Sequence, residues 1–237
     1  MTNVSDALWP YVLAVVAGLF AHACLQLGVS MLTLLNSHAI GSGRAHAAVL
    51  RLSFSYSLGA LAATVGLVIA LTYIFTSLFP FYSTLEWTLL AGLIAGVGIA
   101  VLLFYYRRGK GTLLWLPRGF VEFASSRAKK TKNTVEAFSL GLMMVIAELP
   151  FLIAPIALTA AILSGQPSLE RSIGIGAYSL AACLPLFSIT ALIGSGHKIS
   201  TIQRWRENNK NFLQWSSGLT LILLSIYVFA INVWSAV

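Results

Sequence analysis

Residues 137–163 read AFSLGLMMVIAELPFLIAPIALTAAIL, an apolar run whose only charge is Glu148. About 20 apolar residues in a helix cross the hydrocarbon core of a bilayer. A run this long, without alternation of polar and apolar positions, does not suit a barrel strand. Backbone groups in lipid must be satisfied within the segment, so the stretch is read as a transmembrane helix. Five more such runs extend from Tyr11 to Leu35, Leu52 to Leu78, Leu85 to Tyr105, Ile173 to Ile193 and Phe212 to Trp234. The expected fold is all-α: a polytopic membrane protein with six transmembrane helices.

Composition agrees. The 237 residues are 58% hydrophobic and 9% charged, whereas a soluble domain carries roughly 25% charged residues. A single integral membrane domain over 1–237 is expected, with no room for a separate catalytic domain. No nucleophile, metal-ligand or cofactor constellation stands out, so the expectation is a protein that is not an enzyme and holds no cofactor. The first ten residues lack the basic start of a secretory signal, which reads as a retained first helix. The net charge of +8 comes from residues that punctuate apolar runs. A nucleic-acid surface needs a continuous basic stripe instead, and no nucleic-acid partner is expected.

Fourteen of the 15 Lys and Arg residues fall in the odd-to-even connections: Arg44 and Arg51; Arg107, Arg108, Lys110, Arg118, Arg127, Lys129, Lys130 and Lys132; and Lys198, Arg204, Arg206 and Lys210. Only Arg171 joins Asp6, Glu86 and Glu170 on the opposite side. The positive-inside tendency puts the basic connections in the cytoplasm and both termini outside. The location expected is the inner (cytoplasmic) membrane of a bacterium. In the longest connection, residues 111–123 mix Leu, Trp and Phe with basic groups. That mixture suits a segment lying in the interface against membrane lipids, or a docking site for a membrane protein partner. Pro117 argues against one uninterrupted helix there.

Tyr56-Ser-Leu-Gly-Ala60 returns as Tyr178-Ser-Leu-Ala-Ala182, three spans later. The second copy enters the membrane from the opposite side, which defines an inverted repeat: a first triplet over 11–105, a basic amphipathic connection over 106–135 and a second triplet over 136–234. The same offset pairs Gln26 with Glu148 and Gly28 with Pro150.

An acid at mid-depth needs a polar partner, a cation or a proton. Pro150 and Pro155 remove amide donors and can open the carbonyl ladder beside it. In the first span, His22, Gln26, Ser30 and Thr33 share one helical face. That face suits a transport path, or hydrogen-bonded packing between helices. The candidate path is therefore His22, Gln26, Ser30, Thr33, Glu148, Pro150 and Pro155. Cys24 and Cys183 form no Cys-x-x-Cys element, and His22, Cys24, Glu148, Met143 and Met144 lack dependable metal-ligand spacing, so no metal site is expected. Gly41 and Gly43, and Gly194-Ser-Gly196, read as turns without the features of a phosphate loop.

Several of these stretches together resemble the broad LysE/CcdA-type transporter superfamily, which includes electron carriers related to the DsbD transmembrane domain. They are the Gly-Ser-Gly-Arg44 turn leading into Leu52-Ser-Phe-Ser-Tyr-Ser-Leu-Gly59, Glu148-Leu-Pro-Phe-Leu-Ile-Ala-Pro155, and Ala177-Tyr-Ser-Leu-Ala-Ala-Cys-Leu-Pro185. The electron carriers have a Pro-Cys element in helices one and four. Here Ala23 precedes Cys24, and Phe151 follows Pro150 where the second cysteine would stand. The resemblance thus implies a carrier scaffold without dithiol chemistry. The expected function is a secondary transporter or exporter of a small polar solute or cation. The alternative is a non-transporting structural or assembly subunit of a membrane complex, with an intramembrane redox carrier behind both.

Overall fold

The computed structural model describes residues 4–26, 28–41, 45–79, 83–104, 118–196 and 199–234, with side chains except at 4–8, 40 and 118–121. The turn residues Gly43 and Arg44, the basic Arg107, Arg108 and Lys110, residues 111–117, His197 and Lys198 lie outside the described residues. The described chain is helical and contains no strand: α1 (Val4–Leu25), α2 (Gly28–Gly41), α3 (His46–Leu78), α4 (Thr84–Phe104), α5 (Arg118–Lys130), α6 (Thr134–Ser164), α7 (Ser168–Gly194), α8 (Ile199–Asn208) and α9 (Lys210–Asn232).

Six segments are long and apolar enough to cross a membrane: α1 with α2, then α3, α4, α6, α7 and α9. Large apolar side chains cover their outer surfaces, and polar side chains lie among the apolar core residues inside. Leu89, Ile146 and Leu223 are each at least 60% exposed, while His22, Asn36, Ser53, Ser57 and Glu148 are buried. Exposed apolar surface on this scale belongs against lipid. The chain is an all-α polytopic membrane protein.

Local chemistry explains the helix ends. Asn133 caps α6 by accepting from the Glu136 amide (2.8 Å), and Glu136 accepts in return from the Lys132 amide (2.8 Å). The reciprocal pair at α6 satisfies donors that a helix start leaves unpaired. At α4 the bonds run one way, the Ser83 amide (2.6 Å) and the Ser83 hydroxyl both donating to Glu86 Oε2. Arg171 donates to the carbonyls of Ser164 and Gln166, both at 2.9 Å, at the end of α6. The one basic residue on the acidic side is thus a helix C-terminal cap. Gly196, with φ of +86°, takes the left-handed turn that follows α7.

Two close crossings organise the bundle. At the heaviest contact, α3 against α6, a Cβ at Gly59 would run into the Phe138 carbonyl and one at Gly141 into the Tyr56 carbonyl. Small residues permit such backbone approach in membranes. The second crossing joins α4 to α9, where Gly98 and Gly218 face each other and Gln214 donates to the carbonyls of Val101 (2.8 Å) and Leu102 (2.9 Å). Helix α1 lies between α9 and α6, and α7 packs on α3.

The sequence shows Tyr11 to Leu35 as one apolar run and marks Pro150 and Pro155 as places where the fourth span can open. Helix α6 continues through both prolines, whereas the first span is non-helical at Gln26, just after α1 ends at Leu25.

Candidate functional site

A helix broken inside a membrane creates two sets of unsatisfied peptide groups, and lipid satisfies neither. Here each end is met by a side chain from a distant element. Gln26 O, where the chain leaves α1, accepts from Arg206 Nη2 of α8 at 2.5 Å. Gly28 N, where α2 begins, donates to Glu148 Oε1 of α6 at 2.5 Å. A cation therefore sits at a helix C-terminus and a carboxylate at a helix N-terminus, the arrangement the two half-helix dipoles favour. The charges oppose one another, so the break carries no net formal charge.

The α3–α6 crossing brings Tyr56 to the same point. Its hydroxyl donates to Gly28 O at 2.9 Å. Gly28 is closely enclosed: a Cβ there would stand 3.1 Å from the Tyr56 hydroxyl oxygen, 3.5 Å from Glu148 Oε1 and 3.7 Å from Leu186 Cδ2. Glu148 is 1% exposed and lies midway along α6.

On the α1 side of the break, α7 runs alongside. The His22 Nδ1 and Tyr178 hydroxyl hydrogen-bond at 3.0 Å with their rings edge to face, and Gln26 Nε2 donates to Ala182 O at 3.2 Å. Contacts advance together, His22 with Tyr178 and Gln26 with Ala182, so the two helices are parallel as two odd-numbered spans must be. Three buried polar atoms in this region, His22 Nε2, Gln26 Oε1 and Ser179 Oγ, have no hydrogen-bond partner among the described residues. A buried donor or acceptor left in that state costs about 1–3 kcal/mol. The tyrosines of the repeated Tyr-Ser-Leu motif thus hold opposite halves of the broken span, Tyr178 the α1 half and Tyr56 the α2 half.

The remaining candidates divide differently. Thr33 donates to its own helix at Ser30 O (2.8 Å), and half-buried Ser30 shows no outward bond among the described residues. Further along, Asn36 accepts from Ser53 of α3 at 2.7 Å, an interhelical bond. The face that runs His22, Gln26, Ser30, Thr33 is interrupted by the break, so its first two members address α7 and the rest belong to α2. The Pro150 side chain is exposed. Pro155 is buried, its Cβ 3.5 Å from the position a Cβ on Gly18 would take, and serves the α1–α6 approach.

Arg206 is the member of the site that sequence reasoning did not single out. Its only signal was a basic residue in the connection before span six, shared with Lys198, Arg204 and Lys210. Cys24 and Cys183 are both free and address different helices: Cys24 lies beside Ser216 of α9, and Cys183 Sγ is 3.9 Å from Thr64 Oγ1 of α3. Among the described residues no three His, Cys, Asp or Glu side chains come together as a metal site. Comparison with protein-family models, with curated proteins and with solved structures finds no match for this chain.

Proposed function

We propose that this protein is a compact secondary transporter of a small polar solute or cation, working in the inner membrane of a bacterium with its basic connections in the cytoplasm and both termini outside. The observation that carries the reading is the broken first span, with Glu148 and Arg206 on its two ends. Discontinuous helices at depth supply binding groups in secondary transporters, because their ends present carbonyls and amides that a continuous helix consumes. In this chain Arg206 occupies the cation position at the α1 terminus, and Glu148 the anion position at the α2 terminus. A solute that takes over one of these positions releases the side chain holding it. Arg206 is the natural gate, since α8 lies outside the six spans. His22 Nε2, Gln26 Oε1 and Ser179 Oγ are the groups offered to the solute.

The packing supports a pair of inverted triplets. Exchanging spans one and four, two and five, and three and six turns the α3–α6 contact into α7–α1, and α1–α9 into α6–α4. It returns α3–α7, α4–α9 and α1–α6 to themselves, and every one of these contacts is present. The corresponding positions Gln26 and Glu148 flank the place where spans one and four meet. The motif likeness to LysE/CcdA-type transporters points the same way.

One observation favours the other reading, a structural or assembly subunit: the break is satisfied within the chain, which also suits a rigid core. Reconstitution in proteoliposomes with a panel of small solutes and cations separates the two. Substrate-dependent flux that Glu148→Gln abolishes supports transport. Absence of flux across the panel, with recovery of a stoichiometric complex on native purification, overturns it.

A further inference from the structure

We propose that the cleft between α5 and the start of α6 binds the phosphate headgroup of an anionic phospholipid, with one acyl chain lying along α6. The proposal does not depend on transport. Helix α5 is fixed by one face: Ala124 and Ala128, four apart, are buried, and α2 is the element α5 packs on most. The neighbouring face carries Phe123, Arg127 and Lys130 over a cleft of about 370 Å³. Its opposite wall comes from α6, where Val135, Ser139 and Met143 follow one another at single-turn spacing. Basic groups therefore stand at one end and an apolar track leads away from them.

The Arg127 guanidinium lies 5.2 Å from the centre of the Phe123 ring, which holds it over the cleft. Glu136 also lines the cleft, but its carboxylate accepts from the Lys132 amide at the helix start. The two cations that line the cleft, Arg127 and Lys130, outweigh that one acid. Thr134 begins the fourth span, so the cleft lies at headgroup depth. Val135, 72% exposed, opens it sideways to lipid. A soluble anion would use the basic end and leave the apolar track empty; an anionic phospholipid fills both.

The test is native mass spectrometry of the full chain released from mixed micelles, with phosphatidylglycerol and phosphatidylcholine of matched chains as probes. Wild type retains phosphatidylglycerol preferentially, and inorganic phosphate does not displace it. Each basic contact near a membrane surface favours an anionic lipid by about fivefold. Arg127→Gln with Lys130→Gln therefore removes the preference, while Lys129→Gln, outside the cleft, changes it little. Ser139→Trp fills the apolar track without altering charge and lowers phosphatidylglycerol retention. If the charge variant does not fold, this substitution decides alone. Equal retention of the two lipids by wild type, an unchanged preference in the double variant, wild-type retention in Ser139→Trp, or displacement by inorganic phosphate overturns the proposal.

Discussion

The amide of Gly28 and Oε1 of Glu148 are 2.5 Å apart, joining the start of one half-helix to the centre of another span 120 residues away. This bond places an acid in the membrane interior with a designated use: it closes the N-terminus of α2. Glu148→Ala leaves that amide without its acceptor, at a cost of about 1–3 kcal/mol. Glu148→Gln keeps an acceptor oxygen but loses its charge, and destabilises less. Thermal unfolding of the purified protein in detergent should rank wild type above Gln and Gln above Ala. Equal midpoints for all three would mean that the bond carries no stability.

Arg206 and Glu148 hold two ends of one break, so their effects should not add. Once Arg206→Gln has freed the α1 terminus, the α2 terminus gains room to relax, and Glu148→Gln then costs less than it does in wild type. Residues sharing a network commonly couple by 0.5–3 kcal/mol, a value of about that size being expected here. A double-mutant cycle on unfolding midpoints measures it. Strict additivity would show that the two ends respond independently.

The two tyrosines give a sharper comparison. Tyr56→Phe removes the hydroxyl that bonds Gly28 O, and Tyr178→Phe removes the one that bonds His22 Nδ1. Backbone hydrogen exchange should rise near the start of α2 in the first variant and leave the α1 half unchanged. In the second, the changed exchange lies around His22. The same pattern in both variants would mean that the break moves as one unit.

Glycine positions predict opposite signs. Gly59→Ala and Gly141→Ala put a methyl group into a carbonyl of the facing helix, and α3 and α6 must separate to admit it. Loss of monodisperse protein is expected. A Cβ at Gly92 meets nothing within 4 Å, so Gly92→Ala should stabilise by about 0.4–1 kcal/mol through the unfolded chain. Yields and unfolding midpoints measured side by side test both signs.

The number and class of the membrane-spanning segments were legible because they follow from local hydropathy. Their ends were less so. Helix α3 begins at His46, before the apolar run that starts at Leu52, and α7 begins at Ser168 rather than Ile173, since a helix leaving the bilayer no longer needs apolar residues. The pairing of Gln26 and Gly28 with Glu148 and Pro150 pointed to the meeting of spans one and four. What local pattern does not encode is which of the paired segments breaks. Pro150 and Pro155 lose only their own amide bonds and α6 continues, while the break at Gln26 persists because Arg206 and Glu148 arrive from far along the chain to satisfy it.

The proposed orientation rests on the placement of the Lys and Arg residues and has its own measurement. Ser126 on α5 and Ser168 at the start of α7 are both exposed and lie on opposite sides of the bundle. In a background lacking Cys24 and Cys183, Ser126→Cys should react with a membrane-impermeant maleimide only after the cells are opened. Ser168→Cys should react in intact spheroplasts. Nearly all the Lys and Arg residues flank the Ser126 side, and moving them outward runs against the bias that sets topology during insertion. Arg171 does not weaken the argument, because its guanidinium is spent on the Ser164 and Gln166 carbonyls. Reversed labelling would put Arg206, the proposed gate, on the outer face, so that in the proposed transport the solute would reach the α1 terminus from outside the cell.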